Sequence, residues 1–335
     1  MNILGLETSC DETSCAVVGE GNAVRSNAVV SSLNFHKRYG GIVPEIAFRM
    51  QLETVAAVAD CALKDAGLSI GDINGVSVTQ GPGLLGSLLV GVSFAKSVAL
   101  ARGLPLAGVN HLYSHIYACF LNRKLARLPL VSLIVSGGHT SLFLIKDFQT
   151  ISVIGSTRDD AAGEAFDKVA KILGLGYPGG PVIEKAAAAG DHRTIRFACS
   201  NAADPSDFSF SGIKTAVLYY ARKNLPAKGA ARSRMTADIC AGFQNAVLET
   251  LVEKSFAACA RKKVYRLAVG GGVAANSRLR EMFAARAKED GVELFFPPKE
   301  FCMDNGAMVA GLGHWLLRHG RRDSLSLDAA PTERG

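Results

Sequence analysis

The chain has 335 residues, 48% of them hydrophobic and 20% charged, with a formal net charge of +7. That balance excludes a disordered or fibrous protein and supplies apolar material for two domains, or for one domain in two similar lobes. The mild basic excess is compatible with a polyanionic partner but does not by itself demand one.

Residues 3–6 read as a strand, 7–12 as a polar turn and 14–18 as the returning strand, so the chain opens with a hairpin. No basic segment precedes an apolar run here, and a secretory leader is not expected. Residues 51–66 have helical periodicity and stop at Gly67. Residues 75–79 predict a strand, which Gly81-Pro82-Gly83 turns into a helix beginning near Leu84. The most apolar stretch, 87–109, is interrupted by Lys96, Arg102 and Pro105, and predicts a buried helix and a strand rather than a membrane span. A further helix is expected from His111 to about Asn122.

A similar opening recurs at mid-chain: a strand over 129–135, a turn over 136–140 and a return strand over 141–145. Two such hairpins, each running on into helices, predict a duplicated α/β architecture in two lobes. The first lobe is expected to hold residues 1–110 and about 300–335. The second is expected to hold about 111–299, with the glycine-rich loops and a helical insertion. Within it, 174–180 is a Gly/Pro-rich loop, 201–212 a polar segment, and 213–260 mainly helical with a break near 226–229. A strand at 267–269 enters Gly270-Gly271-Gly272, and a helix starts near Asn276. The chain closes with a strand over 292–296, a helix from about Asp304 and a charged tail after Gly320 expected to be loosely ordered.

Eight cysteines are scattered without a CxxC pair, which predicts free buried thiols in a reducing, cytoplasmic compartment. Basic residues concentrate in the second half at Arg222-Lys223, Lys228, Arg232, Arg234, Arg261-Lys262-Lys263 and Arg266. Solvated helix faces account for them equally well, and no basic strip interleaved with aromatics is evident.

The sharpest chemical signal is His111-Leu112-Tyr113-Ser114-His115. At i and i+4 on a helix, two imidazoles share one face and can converge on one metal ion; two surface or capping histidines are the alternative. No glutamate follows the first histidine, so the zinc-protease base is missing. A third, anionic ligand has to come from elsewhere, and Asp304 is a candidate, although its position also suits the N-cap of the last helix. Two histidines and a carboxylate leave open positions, as a catalytic metal requires.

Gly270 to Gly272, likewise Ser136-Gly137-Gly138 and, more weakly, Thr8-Ser9, can bring backbone amides close to a phosphate. Asn276 stands where it can cap a helix or read a base or ribose. Asp159, Asp160 and Glu164 suit a solvated helix start, whereas Asp167, just before the Gly-rich loop, can grip ribose hydroxyls. Glu7, Asp11 and Glu12 in the first turn are candidates for a base or an orienting group, and turn chemistry alone also explains Asp11.

Taken in order, ETSCDET, YGGIVPEIA, QGPGLLGSLLVG, NHLYSHIYA, VSGGHTSL, DDAAGEAFDKVAK, LGYPGGP, FSFSGIKTA, GGGVAANSRLR and MDNGAM resemble the bacterial tRNA N6-adenosine threonylcarbamoyltransferases (TsaD). Older descriptions of that family as an O-sialoglycoprotein endopeptidase are not favoured by the missing protease base. The resemblance implies the actin, sugar-kinase and heat-shock-ATPase (ASKHA) fold, with two related lobes around a nucleotide cleft. It implies transfer of threonylcarbamoyl from threonylcarbamoyl-AMP to N6 of the adenosine 3′ to the anticodon in tRNAs reading ANN codons. A metal-dependent carbamoyltransferase with a non-tRNA acceptor and a metalloprotease are the competing readings. The family's metal ligands fall on His111, His115 and Asp304, with iron or zinc as the ion. Its nucleotide contacts fall on Ile134, Val135, Ser136, Gly137, Gly138, Asp167, Gly180 and Asn276, for threonylcarbamoyl-AMP and, as a second candidate, ATP. Glu184 stands where many members carry aspartate, and Ile134 where archaeal relatives carry a tyrosine ligand. The catalytic proton acceptor is expected at Glu12 or Asp11. The implied partners are tRNA, a paralogous TsaB-like subunit and a small TsaE-like P-loop ATPase, with no membrane.

Overall fold

The computed structural model describes residues 1–36, 39–200 and 202–331. The chain divides into two compact units, Met1–Arg127 together with Pro297–Gly335, and Leu128–Phe296. The division falls after residue 127 rather than at 110, so the helix that carries both histidines belongs to the first unit.

In the first unit β1 (Asn2–Glu7), β2 (Glu12–Gly19) and β3 (Ala23–Ser31) form an antiparallel meander. A short helix α1 (Leu33–His36) and the long α2 (Pro44–Asp65) follow. The unit continues through β4 (Gly75–Gly81), α3 (Leu85–Arg102), β5 (Leu106–Asn110) and α4 (His111–Ala118). Strands β4 and β5 add in parallel to β1, giving the order β3-β2-β1-β4-β5. Helix α4 ends at Ala118 rather than near Asn122.

The second unit repeats this plan. β6 (Leu130–Val135), β7 (Thr140–Asp147) and β8 (Thr150–Ser156) form the meander. Helices α5 (Ala162–Leu173), α6 (Gly179–Ala187), α7 (Ser211–Asn224) and the 33-residue α8 (Ala230–Lys262) come next. Strand β9 (Arg266–Gly270), helix α9 (Ser277–Asp290) and strand β10 (Glu293–Phe295) close it, with β9 parallel to β6 and β10 parallel to β9. Read from the far edge, β8-β7-β6-β9-β10 has the same connectivity as β3-β2-β1-β4-β5. The duplicated architecture expected from the two hairpins is therefore present, and each copy has a third antiparallel strand beyond its hairpin. The last helix, α10 (Gly306–Arg318), returns to the first unit.

Strands β1 and β2 are buried on both faces because helices cover both. Leu4 and Leu6 join Val17, Val55, Val58 and Val92 in a core against α2 and α3. Gly5, pointing the other way, faces α10. A Cβ there would lie 2.4 Å from both the Ala310 N and the Gly306 O. Gly306 in turn leaves room for only 2.7 Å to the Ala16 N. The bare glycines let the start of α10 sit against the strand backbones, nearer than any side chain permits.

Among the described residues α3 is long and apolar enough to cross a membrane, but it packs on β4 and α2. Of the expected loose tail, residues 321–331 are held. Asp323 Oδ2 accepts from the Gly108 N at 2.8 Å, Lys96 Nζ donates to the Leu327 O at 3.0 Å, and the Ala330 N donates to the Gln80 O at 2.8 Å. The last four residues, and Asn201 of the expected 201–212 polar segment, lie outside the described residues.

Gly5→Ala is expected to lower stability by about 1–3 kcal/mol through overpacking at α10. Urea unfolding checks this, and an unchanged midpoint would show that α10 is not seated by Gly5.

Candidate metal centre

Helix α4 begins abruptly because Asn110 caps it, its Oδ1 accepting from the Leu112 N at 2.9 Å and the Tyr113 N at 3.2 Å. His111 is then the first helical residue and His115 lies one turn on, both buried. Their rings meet edge-on, with centroids 4.7 Å apart and planes at 79°.

Opposite them stands Asp304, two residues before the first residue of α10. It is not the cap of that helix. Asn305 is, with its Oδ1 accepting from the Met308 N at 2.9 Å and its Nδ2 donating to the Met303 O at 2.8 Å. The Gly306 N donates to Ser14 Oγ at 2.8 Å, so β2 also holds the helix start. Asp304 is left to face the histidines, its Oδ1 lying 3.0 Å from His115 Nε2 and 3.7 Å from His111 Nε2. The three ligand atoms lie within 4.8 Å of one another. Bonds of about 2.0–2.2 Å to one ion bring such atoms to about 3–4 Å, so the set fits a cation with little movement.

Behind His111 lies Glu7, at the end of β1 and fully buried. Its Oε2 is 3.2 Å from His111 Nδ1, and Ser9 Oγ is also 3.2 Å from that nitrogen. Thr79 Oγ1 donates to Glu7 Oε2, and the Ser9 N donates to Glu7 Oε1 at 2.5 Å. A carboxylate accepting from Nδ1–H sets the tautomer that leaves Nε2 free to ligate, as in carboxylate–histidine–metal triads. The turn itself is pinned from α2 and α3. Gln51 Nε2 donates to the Cys10 O at 3.0 Å and the Glu12 O at 2.9 Å, and Thr8 Oγ1 donates to the Ser87 O at 2.8 Å. Asn110, Asn305 and Gln51 carried no signal in the sequence beyond the cap preference of asparagine.

The cluster is rich in carboxylates and holds protons in their company. Burial opposes a charged His111, yet Asp304 and Glu7 outweigh it and lift the imidazole to about 9. Burial, then the charges of Asp304 and Asp11, push Glu12 up to about 10. Burial, with Asp11 and Asp304, raises the Cys10 thiol well above its ordinary value. Burial and the neighbouring carboxylates thus favour the protonated form of Glu12, and a positive charge beside Asp304 would oppose that shift.

In the second unit the expected nucleotide residues gather where the parallel strands β6 and β9 end. Ile134 and Val135 are fully buried strand residues, so only their backbone can meet a ligand. Ser136 closes the following turn, its N donating to the His139 O at 2.8 Å, and a Cβ on Gly137 or Gly138 would meet nothing within 4 Å. Asp167 Oδ1 accepts from the Gly179 N at 2.6 Å, tying α5 to the first turn of α6, while the space beside Gly180 is open. Burial raises the Asp167 pKa, partly offset by that amide. Glu184 Oε1 accepts from the Ser277 N at 2.8 Å. Asn276 is buried as the cap of α9, accepting from the Leu279 N at 2.9 Å and donating to Gln244 Oε1 at 2.9 Å, so its oxygen is already engaged. Asp159 and Asp160 lie just before α5; exposed Asp159 serves the start of another helix, α7, whereas Asp160 is buried. Asp159 accepts from the Phe210 and Ser211 N–H groups at the head of α7, and Asp160 pairs with Lys168 and Lys214 at 2.6 Å each.

A sequence profile described as tRNA N6-adenosine threonylcarbamoyltransferase matches residues 23–311. A protein of that name from Syntrophus aciditrophicus (strain SB) is 47% identical over 329 residues, covering 98% of this chain and 96% of its own. Another from Clostridium botulinum (strain 657 / Type Ba4) is 48% identical over 332 residues, covering 99% and 97%. Among solved structures, component A of (R)-2-hydroxyglutaryl-CoA dehydratase from Acidaminococcus fermentans superposes with a TM-score of 0.55 at 14% identity, over 94% of this chain and 98% of that one. HypF of T. kodakarensis does so at 0.63 and 13%, over 95% and 48%. At such identities the structures speak for the fold alone.

Both raised groups bind more protons folded than unfolded, so the ion-free protein should lose stability as pH rises, through about 6.5 to 9 for His111 and about 4.5 to 10 for Glu12. A divalent ion must displace the His111 proton, so its apparent affinity should climb about tenfold per pH unit up to that pKa. Calorimetry in buffers of differing ionisation enthalpy checks this, the expected reading being at least one proton released per ion at pH 7.5.

Proposed function

The chain belongs to the tRNA N6-adenosine threonylcarbamoyltransferase family, and from that premise we propose the reaction in full. Threonylcarbamoyl passes from threonylcarbamoyl-AMP to N6 of the adenosine 3′-adjacent to the anticodon in tRNAs reading ANN codons. A bond forms between N6 and the carbamoyl carbon, the bond from that carbon to the phosphate oxygen breaks, AMP leaves with the electron pair, and N6 gives up a proton. The observation that carries the reading is the convergence of His111, His115 and Asp304, with Glu7 behind His111.

These three side chains would hold a divalent ion, iron or zinc. Such an ion supplies Lewis-acid polarisation of a carbamoyl or phosphate oxygen. Glu7 keeps the Nε2 of His111 available for it. In the second unit, the bare turn at Gly137 and Gly138 and the open start of α6 at Gly180 offer backbone N–H groups to the adenylate phosphate or ribose. Asp167, Glu184 and Asn276 brace the helix starts around that turn. An exocyclic adenine amine is a weak nucleophile, so alignment should supply much of the rate. A cationic charge at Asp304 would free Glu12 to accept the departing proton. Leu112 occupies the place after His111 where zinc proteases carry their base, so peptide hydrolysis is not supported.

All eight cysteines are free, which supports a reducing, cytoplasmic setting. A paralogous TsaB-like subunit and a TsaE-like ATPase belong to the proposal as partners expected from the family.

The test is transfer of labelled threonine from threonylcarbamoyl-AMP to unmodified tRNA. Transfer should stop with a chelator and in His111→Ala, with circular dichroism unchanged; full turnover by that variant would sink the metal assignment. Glu7→Ala should weaken binding of the ion by about 10–100-fold, read by direct titration.

A further inference from the structure

Between Asp207 and Asp238 the chain has no acidic residue but carries Lys214, Arg222, Lys223, Lys228, Arg232 and Arg234. The structure folds this stretch into the α7–α8 hairpin of the second unit. Lys214 is taken up by Asp160, and Arg234 approaches Asp238 at 3.5 Å. Arg222, Lys223 and Lys228 are exposed and pair with no acid among the described residues.

Three features mark this tip as more than a solvated face. Tyr219, Arg222 and Lys223 stand at i, i+3 and i+4, so they share one face of α7, and Tyr219 is 65% exposed. The neighbouring Tyr220 is instead packed on Phe197, with ring centroids 5.9 Å apart, which brings the exposed Arg196 beside the same helix. The third feature is where the cations lie. Lys228, Arg232 and Arg234 crowd the start of α8, whose first turn has no acid, although the helix dipole favours anions there. Arg232 Nη1 donates to the Pro226 O at 2.9 Å and Arg234 has Asp238, so of these three it is Lys228 whose charge points to an anionic partner outside the helix.

We propose that the α7–α8 tip binds the phosphate backbone of tRNA, with Arg222, Lys223 and Lys228 on phosphates and Tyr219 stacking on an unpaired base. An acidic protein would use the cations but leaves the aromatic ring on the same face without a task. This inference rests on the tRNA reading above and adds where on the chain the RNA lies.

The test compares the full-length wild-type chain with Arg222→Gln/Lys223→Gln/Lys228→Gln, with Tyr219→Ala, and with a charge-matched control, Lys64→Gln/Lys146→Gln/Lys288→Gln. Binding to unmodified tRNA is measured across a salt series, with thermal unfolding to confirm the fold of each. The hairpin triple variant should bind at least tenfold more weakly than the control, with a log K versus log salt slope shallower by about two. Tyr219→Ala should lose about fivefold or more with the slope retained. Equal affinities and slopes for hairpin variant and control, with wild-type transfer to tRNA intact, would overturn this surface alone. A wild type that neither binds tRNA nor transfers to it would overturn the functional reading, and this inference with it.

Discussion

The centre in the first unit depends on one close packing, the start of α10 against the backbones of β1 and β2. Gly5 and Gly306 remove the side chains that would hold helix and sheet apart. Asn305 and Ser14 then satisfy N–H groups that a helix start leaves free. With the helix seated and capped, the residue before its cap has no structural duty there and turns toward α4. A second asparagine, Asn110, starts α4 at the right residue. Two asparagine-capped helix starts thus bring Asp304 within 3.0 Å of His115.

Electrostatics explains why such a centre suits a cation. Glu7, Glu12 and Asp304 are drawn together in a place poor in solvent, and the raised proton affinities of His111 and Glu12 are the response. Protons there stand in for a charge the cluster lacks. A divalent ion held there would replace them and shift the protonation of its neighbours, which would make metal binding and acid–base behaviour one property of the site.

The duplicated topology gives two equivalent hairpin turns with different chemistry. In the first unit the β1–β2 turn carries carboxylates and hydroxyls, closely held by Gln51 and Ser87. In the second the β6–β7 turn has open glycines at the end of a buried strand. One backbone plan thus serves for orienting a histidine in one unit and for presenting bare amides in the other. The difference lies in the turn residues and not in the fold.

The sequence by itself determined the elements whose signals are local. The i, i+4 histidines, both hairpins and the glycine-rich turns could be read directly because each rests on a short-range period or a turn preference. The third strands β3 and β8 were not legible, their exposure on one sheet edge having blurred the alternation. Asp304 and Asn305 both suit a helix cap, and only the packing of α10 decided which one caps and which one faces the histidines. Glu7 lies over a hundred residues from His111 in the chain, and nothing local marks it as the partner of Nδ1. Asn276 could be read as cap or ligand contact until its oxygen was seen on the Leu279 N–H. The basic stretch showed its charges in sequence, whereas the exposed Tyr219 beside them needed the face of α7 to be known. Spacing along the chain fixes which residues share a helix face, but long-range packing fixes what that face meets.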